Sequence, residues 1–287
     1  MSQIPVNNAL ESLTRWWSDM GVDADPQIMR AYQSAVQTAA ASPVAPASGT
    51  QSSARPGAES GAQAGADAAA PGAPNRRRSS AKKTPADWAR EAEIIATGCK
   101  TLDALASAID SFDGCPLKEG ATRTVVFDGT PGAPVMVIGE GPGRDEDRAG
   151  LPFVGRAGQL LDRMLASISL DRKTNALITN VNYWRPPRNR NPEADELLVC
   201  APFVQRMIAL TQPKLIIAAG AVPAKALLGT SSGIMKLRGT RQTLATAQGD
   251  VPLMPIFHPA YLLRRPEEKA RAWRDLLAIE SLLAGLD

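Results

Sequence analysis

The chain has 287 residues, of which 44% are hydrophobic and 21% charged, and its formal net charge is +3. This length allows a sizeable core, and the mildly basic balance permits a polyanionic partner without requiring one. Three cysteines at wide spacing exclude a disulfide framework and favour a reducing compartment. The N-terminal residues show no signal-peptide pattern and no apolar run could span a bilayer, so we expect a cytoplasmic protein without a membrane partner. We also expect a monomer.

Residues 1–39 are predicted to form a short helical segment. Leu10, Leu13, Trp17 and Met20 recur at helical spacing. A tryptophan on such a segment either binds a protein partner or packs on the main domain, and the sequence leaves both interpretations open.

Residues 40–84 are predicted to be a disordered linker that ends in a basic cluster. Ala, Gly, Pro and Ser dominate this stretch, and such a composition buries too little apolar surface to offset its ordering entropy. The basic cluster, residues 76–83 (RRRSSAKK), either attracts nucleic-acid phosphates or is a solvated linker end.

Residues 85–287 are predicted to form one α/β domain. It is expected to begin with a helix, since Thr84 can cap it, Pro85 suits its first turn and Asp87 lies near the positive end of its dipole. Short apolar runs indicate strands at 124–127, 135–138, 176–178, 215–218 and 253–257, and helical patterns occupy 156–168, 193–210, 221–228 and 267–285. This alternation predicts a three-layer α/β/α sandwich around a mostly parallel four-stranded sheet. The hairpin-like spacing of the first two runs predicts one antiparallel edge strand.

Four strand ends carry the residues most capable of chemistry. They are Gly139-Glu140, Thr179-Asn180, Gly220 and His258, the only histidine of the chain. Open α/β sheets bind ligands beyond the carboxyl ends of their strands. We therefore expect these residues to meet in one crevice.

Three segments around these strand ends resemble a known family. Residues 139–147 (GEGPGRDED), 150–158 (GLPFVGRAG) and 257–264 (FHPAYLLR) are similar to motifs of the uracil-DNA glycosylase superfamily, and most of all its family-four branch. The resemblance implies a uracil-DNA glycosylase-like fold. It also implies hydrolysis of the N-glycosidic bond of deoxyuridine in DNA, with release of uracil and an abasic site.

The resemblance gives three residues a catalytic role. His258 would donate to the uracil carbonyl between the sugar and N3, where negative charge develops. Asn180 would read the O4 and N3–H edge, since a carboxamide both accepts and donates, with Asn182 as the rival. Glu140 would position water or stabilise the sugar cation.

The remaining pocket residues follow from the same resemblance. Phe153 would stack on the flipped base, and Glu146 would fill the space beside C5 that the thymine methyl needs. Gly141 stands where some glycosylase families carry a water-activating aspartate or asparagine. Family-four enzymes also have a small residue at this position, so the general base stays open.

DNA contacts are expected from the loops beside the pocket. Leu262 or Leu263 would insert into the gap left by the flipped nucleotide. Basic residues would contact flanking phosphates, namely Lys236, Arg238, Arg264 and Arg265, with a second basic loop at Arg185, Arg188 and Arg190.

The family's iron–sulfur cluster is predicted to be absent. The four ligand positions implied by the resemblance hold Phe112, Cys115, Trp184 and Cys200, so only Cys115 and Cys200 remain of a four-cysteine set. Large aromatic residues at the other two positions would fill the vacated volume. We therefore expect no metal and no cofactor.

Two other functions compete with this hypothesis. A catalytically silent DNA-binding module of the same fold would retain binding without turnover, and a glycosylase of broader specificity would also remove other deaminated bases such as hypoxanthine or xanthine. An enzyme acting on a free nucleotide is a weaker alternative, because the glycine-rich loop lacks a phosphate-binding signature.

Overall fold

The computed structural model of the protein describes residues 83–286. Predictions for residues 1–39 and for most of the linker therefore lie outside the described residues. Within residues 83–286, no helix is long and apolar enough to cross a membrane.

The described part of the chain begins with two helices. Helix α1 (Pro85–Gly98) begins at Thr84, whose hydroxyl accepts from the backbone N–H of Asp87 while the Asp87 carboxylate accepts from the backbone N–H of Thr84. Proline in the first turn and this reciprocal cap confirm the predicted helix start. Helix α2 (Leu102–Ser111) follows after Cys99.

The remaining elements alternate as predicted. In chain order they are β1 (Phe127–Gly129), β2 (Val135–Gly139), α3 (Arg144–Ala149), α4 (Arg156–Ala166), β3 (Ala176–Asn180), α5 (Ala194–Thr211), β4 (Leu215–Ala219), α6 (Ala221–Leu228), α7 (Ile234–Leu237), β5 (Gln242–Thr246), β6 (Gly249–Ile256), α8 (Pro259–Arg264) and α9 (Lys269–Leu283). Short 3₁₀ turns lie at Pro116–Gly120, Pro187–Asn189 and Pro266–Glu268.

The strands of the described region form one mixed six-stranded sheet in the order β1-β3-β2-β4-β6-β5. The central strands β3, β2, β4 and β6 are parallel, which confirms the predicted parallel core. Strands β2, β3 and β4 are buried at every position. Helices therefore cover both faces, as in a three-layer sandwich.

Two features of the sheet differ from the predicted one. The first edge strand is residues 127–129 rather than 124–127, and it pairs antiparallel with β3 instead of forming a hairpin with β2. A second antiparallel edge strand, β5, pairs with β6, so the two edge strands β1 and β5 flank the four parallel strands in a sheet of six. Strand β5 alternates between half-buried and exposed residues, so it lacks the continuous apolar run that marks a buried strand.

Candidate active site

The carboxyl ends of β2, β3 and β6 open into one cavity of about 380 Å³. It is lined by Glu140, Gly141, Pro142, Gly143, Glu146, Phe153, Ala157, Asn180, Pro186, Asn189, Arg190, Asn191, Pro192, His258, Ala260 and Arg264. The structure thus brings together all six residues predicted to be catalytic or to bind the base.

Asn180 is held at the end of β3 beside a glycine. Gly139 is its register partner on β2, and a Cβ atom at Gly139 would lie 2.4 Å from Asn180 Oδ1 and 2.5 Å from the Phe153 ring. Any larger residue at position 139 would therefore displace both side chains. Asn180 is 2% exposed, and its Nδ2 has no hydrogen-bond partner.

Asn182, the alternative candidate for base recognition, uses its amide group for local hydrogen bonds. Its Nδ2 donates to the carbonyl of Trp184 at 2.6 Å, and its Oδ1 accepts from the backbone N–H of Trp184 at 3.2 Å. Both ends of this amide are satisfied, so the contacts support the choice of Asn180.

His258 begins helix α8 and is fixed in one tautomer. Its Nδ1 accepts from the backbone N–H of Ala260 at 3.1 Å, so in the neutral ring the proton is on Nε2. Burial, and then the charge of Arg264, lowers the pKa of His258 from 6.5 to about 4. At neutral pH the ring is therefore an uncharged Nε2–H donor on the cavity wall.

Phe153 faces His258 in a strained backbone conformation. The two rings are stacked with centroids 5.7 Å apart and planes at 29°. Phe153 has a φ of 53°, which is uncommon for a residue with a bulky side chain. A flat ligand in this cavity would meet an aromatic face.

The two glutamates differ in their environments. Burial raises the pKa of Glu140. Glu146 instead ties two loops together, since its Oε1 accepts from the backbone N–H groups of Val154 and Gly155 at 3.0 and 2.8 Å, and its Oε2 accepts from that of Gly143 at 3.1 Å.

Asp147 lies outside the cavity wall and closes the same loop region. Its carboxylate accepts from the backbone N–H and the hydroxyl of Thr122 at 2.7 and 2.9 Å. This agrees with a capping role for this acid rather than a role in the pocket.

The residues predicted to contact DNA divide into two groups. Arg264, Arg265 and Lys236 are exposed, and Leu263 is partly exposed. Leu262 is fully buried, and Arg238 pairs with the carboxylate of Asp275 at 2.6 and 2.9 Å. The structure therefore directs Leu262 and Arg238 into packing.

Sequence analysis did not identify two groups of functional residues, one in the cavity wall and one beside it. The loop at residues 186–192 forms part of the wall, although only its arginines were noted, as phosphate contacts. Two arginines of this basic loop are paired: Arg190 with Glu196 at 2.6 Å and Arg185 with Asp147 at 3.9 Å. Arg172, which contacts the Phe153 loop (residues 150–155), belongs to none of the sequence motifs and lies in the turn between α4 and β3.

A second cavity of about 400 Å³ lies between α5, α6 and β5. Its lining contains no charged side chain, and its polar residues are Gln205, Thr246 and Gln248. Among the described residues, this cavity offers no acid, base or charged donor.

The four positions of the implied cluster do not offer a cluster's ligand set. Phe112 packs edge to face on Trp88 and Phe203, with ring centroids 5.7 and 5.1 Å away, and Trp184 Nε1 donates to the hydroxyl of Thr124 at 3.1 Å. Within residues 83–286, no three His, Cys, Asp or Glu residues are grouped to hold a metal ion. Two thiols do not fit a cluster that needs four thiolates.

The fold and the cavity together define an α/β protein with a pocket of about 380 Å³ at its strand ends, walled by an aromatic ring, an amide and a neutral imidazole. The profile described as the uracil DNA glycosylase superfamily matches residues 126–277, and the chain belongs to that superfamily.

Several similar proteins belong to one branch of this superfamily, the type-4 uracil-DNA glycosylases. The chain is 34% identical over 186 residues to the type-4 uracil-DNA glycosylase of Sulfurisphaera tokodaii, covering 63% of this chain and 84% of the relative. It is 37% identical over 186 residues to that of Pyrobaculum aerophilum, covering 61% and 91%. It is 34% identical over 171 residues to that of Thermotoga maritima, covering 59% and 87%. The family-four-like resemblance is thereby confirmed.

Proposed function

We propose that the protein is a uracil-DNA glycosylase of base excision repair, which hydrolyses the N-glycosidic bond of deoxyuridine in DNA. One observation carries this proposal above others: the buried Asn180 Nδ2 has no partner and belongs to a side chain that lines the cavity. A buried donor without a partner costs about 1–3 kcal/mol. The O4 of uracil would accept from it, and Asn180 Oδ1 would accept from uracil N3–H.

Discrimination against cytosine follows from the same amide. Cytosine presents a donor where uracil has O4 and an acceptor where uracil has N3–H, so both atoms of Asn180 would be left mismatched in a buried site. Against thymine, the proposed barrier is Glu146, whose three backbone hydrogen bonds hold it in place beside the cavity.

His258 would stabilise the leaving group. As the C1′–N1 bond breaks, its electron pair moves onto the base, and the Nε2–H of a neutral imidazole donates to the carbonyl next to N1. A donor that already stands in place needs no reorganisation during the reaction. Water adds to C1′ and loses a proton, which completes the hydrolysis.

Glu140 is proposed to position that water or to stabilise the sugar cation. Its raised pKa brings the carboxylate closer to the range in which a side chain accepts a proton efficiently at neutral pH. Gly141, next to it, also lines the cavity, and a Cβ atom there would lie 3.0 Å from Asn182 Nδ2. No lysine lines the cavity in the described part of the chain, which supports a monofunctional enzyme without lyase activity.

DNA engagement is proposed to rest on the exposed residues beside the cavity. Leu263 would insert where the flipped nucleotide leaves the stack, while Arg264, Arg265 and Lys236 would contact phosphates. Leu262 would support this loop from inside, while Arg238 stays paired with Asp275 of helix α9.

We also propose that the protein functions without an iron–sulfur cluster, as a cytoplasmic monomer. Its three cysteines are unpaired in the structure, in keeping with a reducing compartment. Protein purified without oxygen should contain less than about one iron atom per chain by metal analysis and lack the visible absorbance of an iron–sulfur cluster. About four iron atoms per chain would overturn the proposal.

The function itself is tested with labelled oligonucleotides that each contain one U:G, U:A, single-stranded U or T:G site. Alkali-cleavable product from the uracil substrates and none from T:G is expected, with His258→Ala slower by about 10²–10³-fold. Tight DNA binding without product would instead identify a binding module. Product from hypoxanthine or xanthine sites would identify a broader enzyme.

A further inference from the structure

Arg172 makes an unusually complete set of hydrogen bonds beside the candidate site. Its Nη1 donates to Asp128 Oδ2 at 2.7 Å and to the carbonyl of Pro152 at 3.1 Å. Its Nη2 donates to the carbonyl of Phe153 at 3.0 Å, and Nη2 and Nε donate to Asp162 Oδ1 at 2.7 and 2.9 Å. The side chain is 12% exposed.

These contacts connect the Phe153 loop to strand β1 and helix α4. Asp128 belongs to the edge strand β1 and Asp162 to helix α4, so the guanidinium is anchored on two sides by carboxylates. Its remaining hydrogen bonds hold the two carbonyls of Pro152 and Phe153. The backbone on both sides of the Phe153 ring is therefore tied to the rigid part of the domain.

The Phe153 backbone needs such an anchor. A φ of 53° at a bulky residue stores strain and persists only where the surroundings hold it. Helix α4 presses on the same peptide, since a Cβ atom at Gly158 would lie 1.8 Å from the Phe153 carbonyl oxygen. If the carbonyl were released, the loop would relax towards an ordinary φ and the ring would turn away from His258.

An arginine is required for this arrangement. The guanidinium offers five donors in a planar fork, whereas a lysine ammonium offers three around one point. A lysine at position 172 would keep the positive charge but could not reach two carboxylates and two carbonyls together.

We propose that Arg172 is a positioning residue for base recognition: it fixes the ring of Phe153 at the angle at which the flipped base stacks between it and the rest of the pocket. This inference rests on the proposed uracil excision and adds a residue outside the cavity to the machinery of that site.

The test is a double-mutant cycle measured by kcat/KM on a single-stranded uracil oligonucleotide. Arg172→Lys should lower kcat/KM by about 10- to 100-fold, because small displacements of a positioning group have effects of this size. In a Phe153→Ala background the same substitution should change kcat/KM by less than about twofold, since the ring through which Arg172 acts is gone.

Arg206→Lys is the matched control. Arg206 also donates to a backbone carbonyl, that of Cys99 at 2.9 Å, but it belongs to helix α5 and does not line the cavity. Its replacement should lower the melting temperature while leaving kcat/KM within about twofold of the wild type. If Arg172→Lys is unfolded at the assay temperature, Asp128→Asn, which loosens one side of the guanidinium, enters the same cycle.

The outcomes separate the two proposals. An active wild type with equal losses for Arg172→Lys in both backgrounds, or with no loss at all, would overturn the positioning role and leave the glycosylase function intact. A wild type that excises no base would overturn the proposed function, and the positioning role with it.

Discussion

At the scale of single residues, two side chains of the candidate site, those of Asn180 and His258, each pack against a glycine. A Cβ atom at Gly139 would lie 2.4 Å from Asn180 Oδ1. A Cβ atom at Gly220, which follows β4 and has a φ of 120°, would lie 3.2 Å from the His258 Cβ. Both glycines end parallel strands next to the strand that carries the functional residue. Close approach of strand ends, rather than loop flexibility, explains their presence.

The protonation of His258 can be observed directly, because the chain has one histidine. We expect its ¹⁵N resonances to titrate with a pKa of about 4 and to show the Nε2–H tautomer at neutral pH, since burial disfavours the imidazolium and the Ala260 N–H occupies Nδ1. A midpoint near the ordinary 6.5 would mean that the ring is solvated rather than buried in the cavity wall.

The same shift has a consequence for stability. The folded pKa of about 4 lies below the ordinary 6.5, so between these values the unfolded chain binds a proton at His258 that the folded chain does not. The free energy of unfolding therefore falls as the pH drops through this window. Denaturant unfolding at about pH 7.5 and about pH 5 should show a larger loss for the wild type than for His258→Asn, which keeps a helix-capping side chain.

At the scale of elements, helix α4 is fitted to the Phe153 loop through a glycine. Alanine is the better helix former by about 1 kcal/mol, yet a Cβ atom at Gly158 would overlap the Phe153 carbonyl. Gly158→Ala should therefore destabilise the protein by about 1–3 kcal/mol or more and reduce uracil excision, as measured by thermal unfolding and kcat/KM.

Gly98 provides the matched control for this substitution. It is the last residue of helix α1, and a Cβ atom there would have no neighbour within 4 Å. Gly98→Ala should leave activity unchanged and the melting temperature equal or higher. Equal effects of the two substitutions would show that helix propensity alone, and not contact with the Phe153 loop, governs Gly158.

At the scale of the whole molecule, the described domain should carry the chemistry by itself. A chain that begins at Lys83 should excise uracil from a short oligonucleotide with kcat within about twofold of the full-length protein. Among residues 83–286, those that line the cavity all lie at Glu140 or beyond it in the chain. A folded but inactive chain would show that residues 1–82 complete the site.

The basic cluster at residues 76–83 bears on affinity rather than on turnover. If it neutralises phosphates, its removal should weaken DNA binding and flatten the dependence of log K on log salt by about 0.9 for each phosphate that is no longer neutralised. An unchanged salt slope would support a solvated linker end. Lys83 itself already pairs with Glu91 and lies over the Trp88 ring at 4.1 Å.

Prediction from sequence succeeded where the signal is local. The Thr84 cap, the apolar runs of β2, β3 and β4 and the strand-end residues Asn180 and His258 each depend on a few neighbouring positions. It failed for the partner of β1 and for strand β5, since pairing at a sheet edge is decided by distant segments and leaves no periodic apolar pattern of its own.

The sequence by itself determined the α/β class, the crevice at the strand ends and six of the residues that line it, because each buried strand and the motif that follows it form one contiguous stretch. Only the tertiary structure decided which hydrogen bonds those residues make and which of them are buried. It left Asn180 unpaired while satisfying Asn182, it turned Leu262 and Arg238 inward, and it placed Arg172 against the Phe153 backbone. Hydrogen-bond satisfaction and burial depend on groups far apart in the chain, and these become neighbours only when the sheet and its helices are assembled.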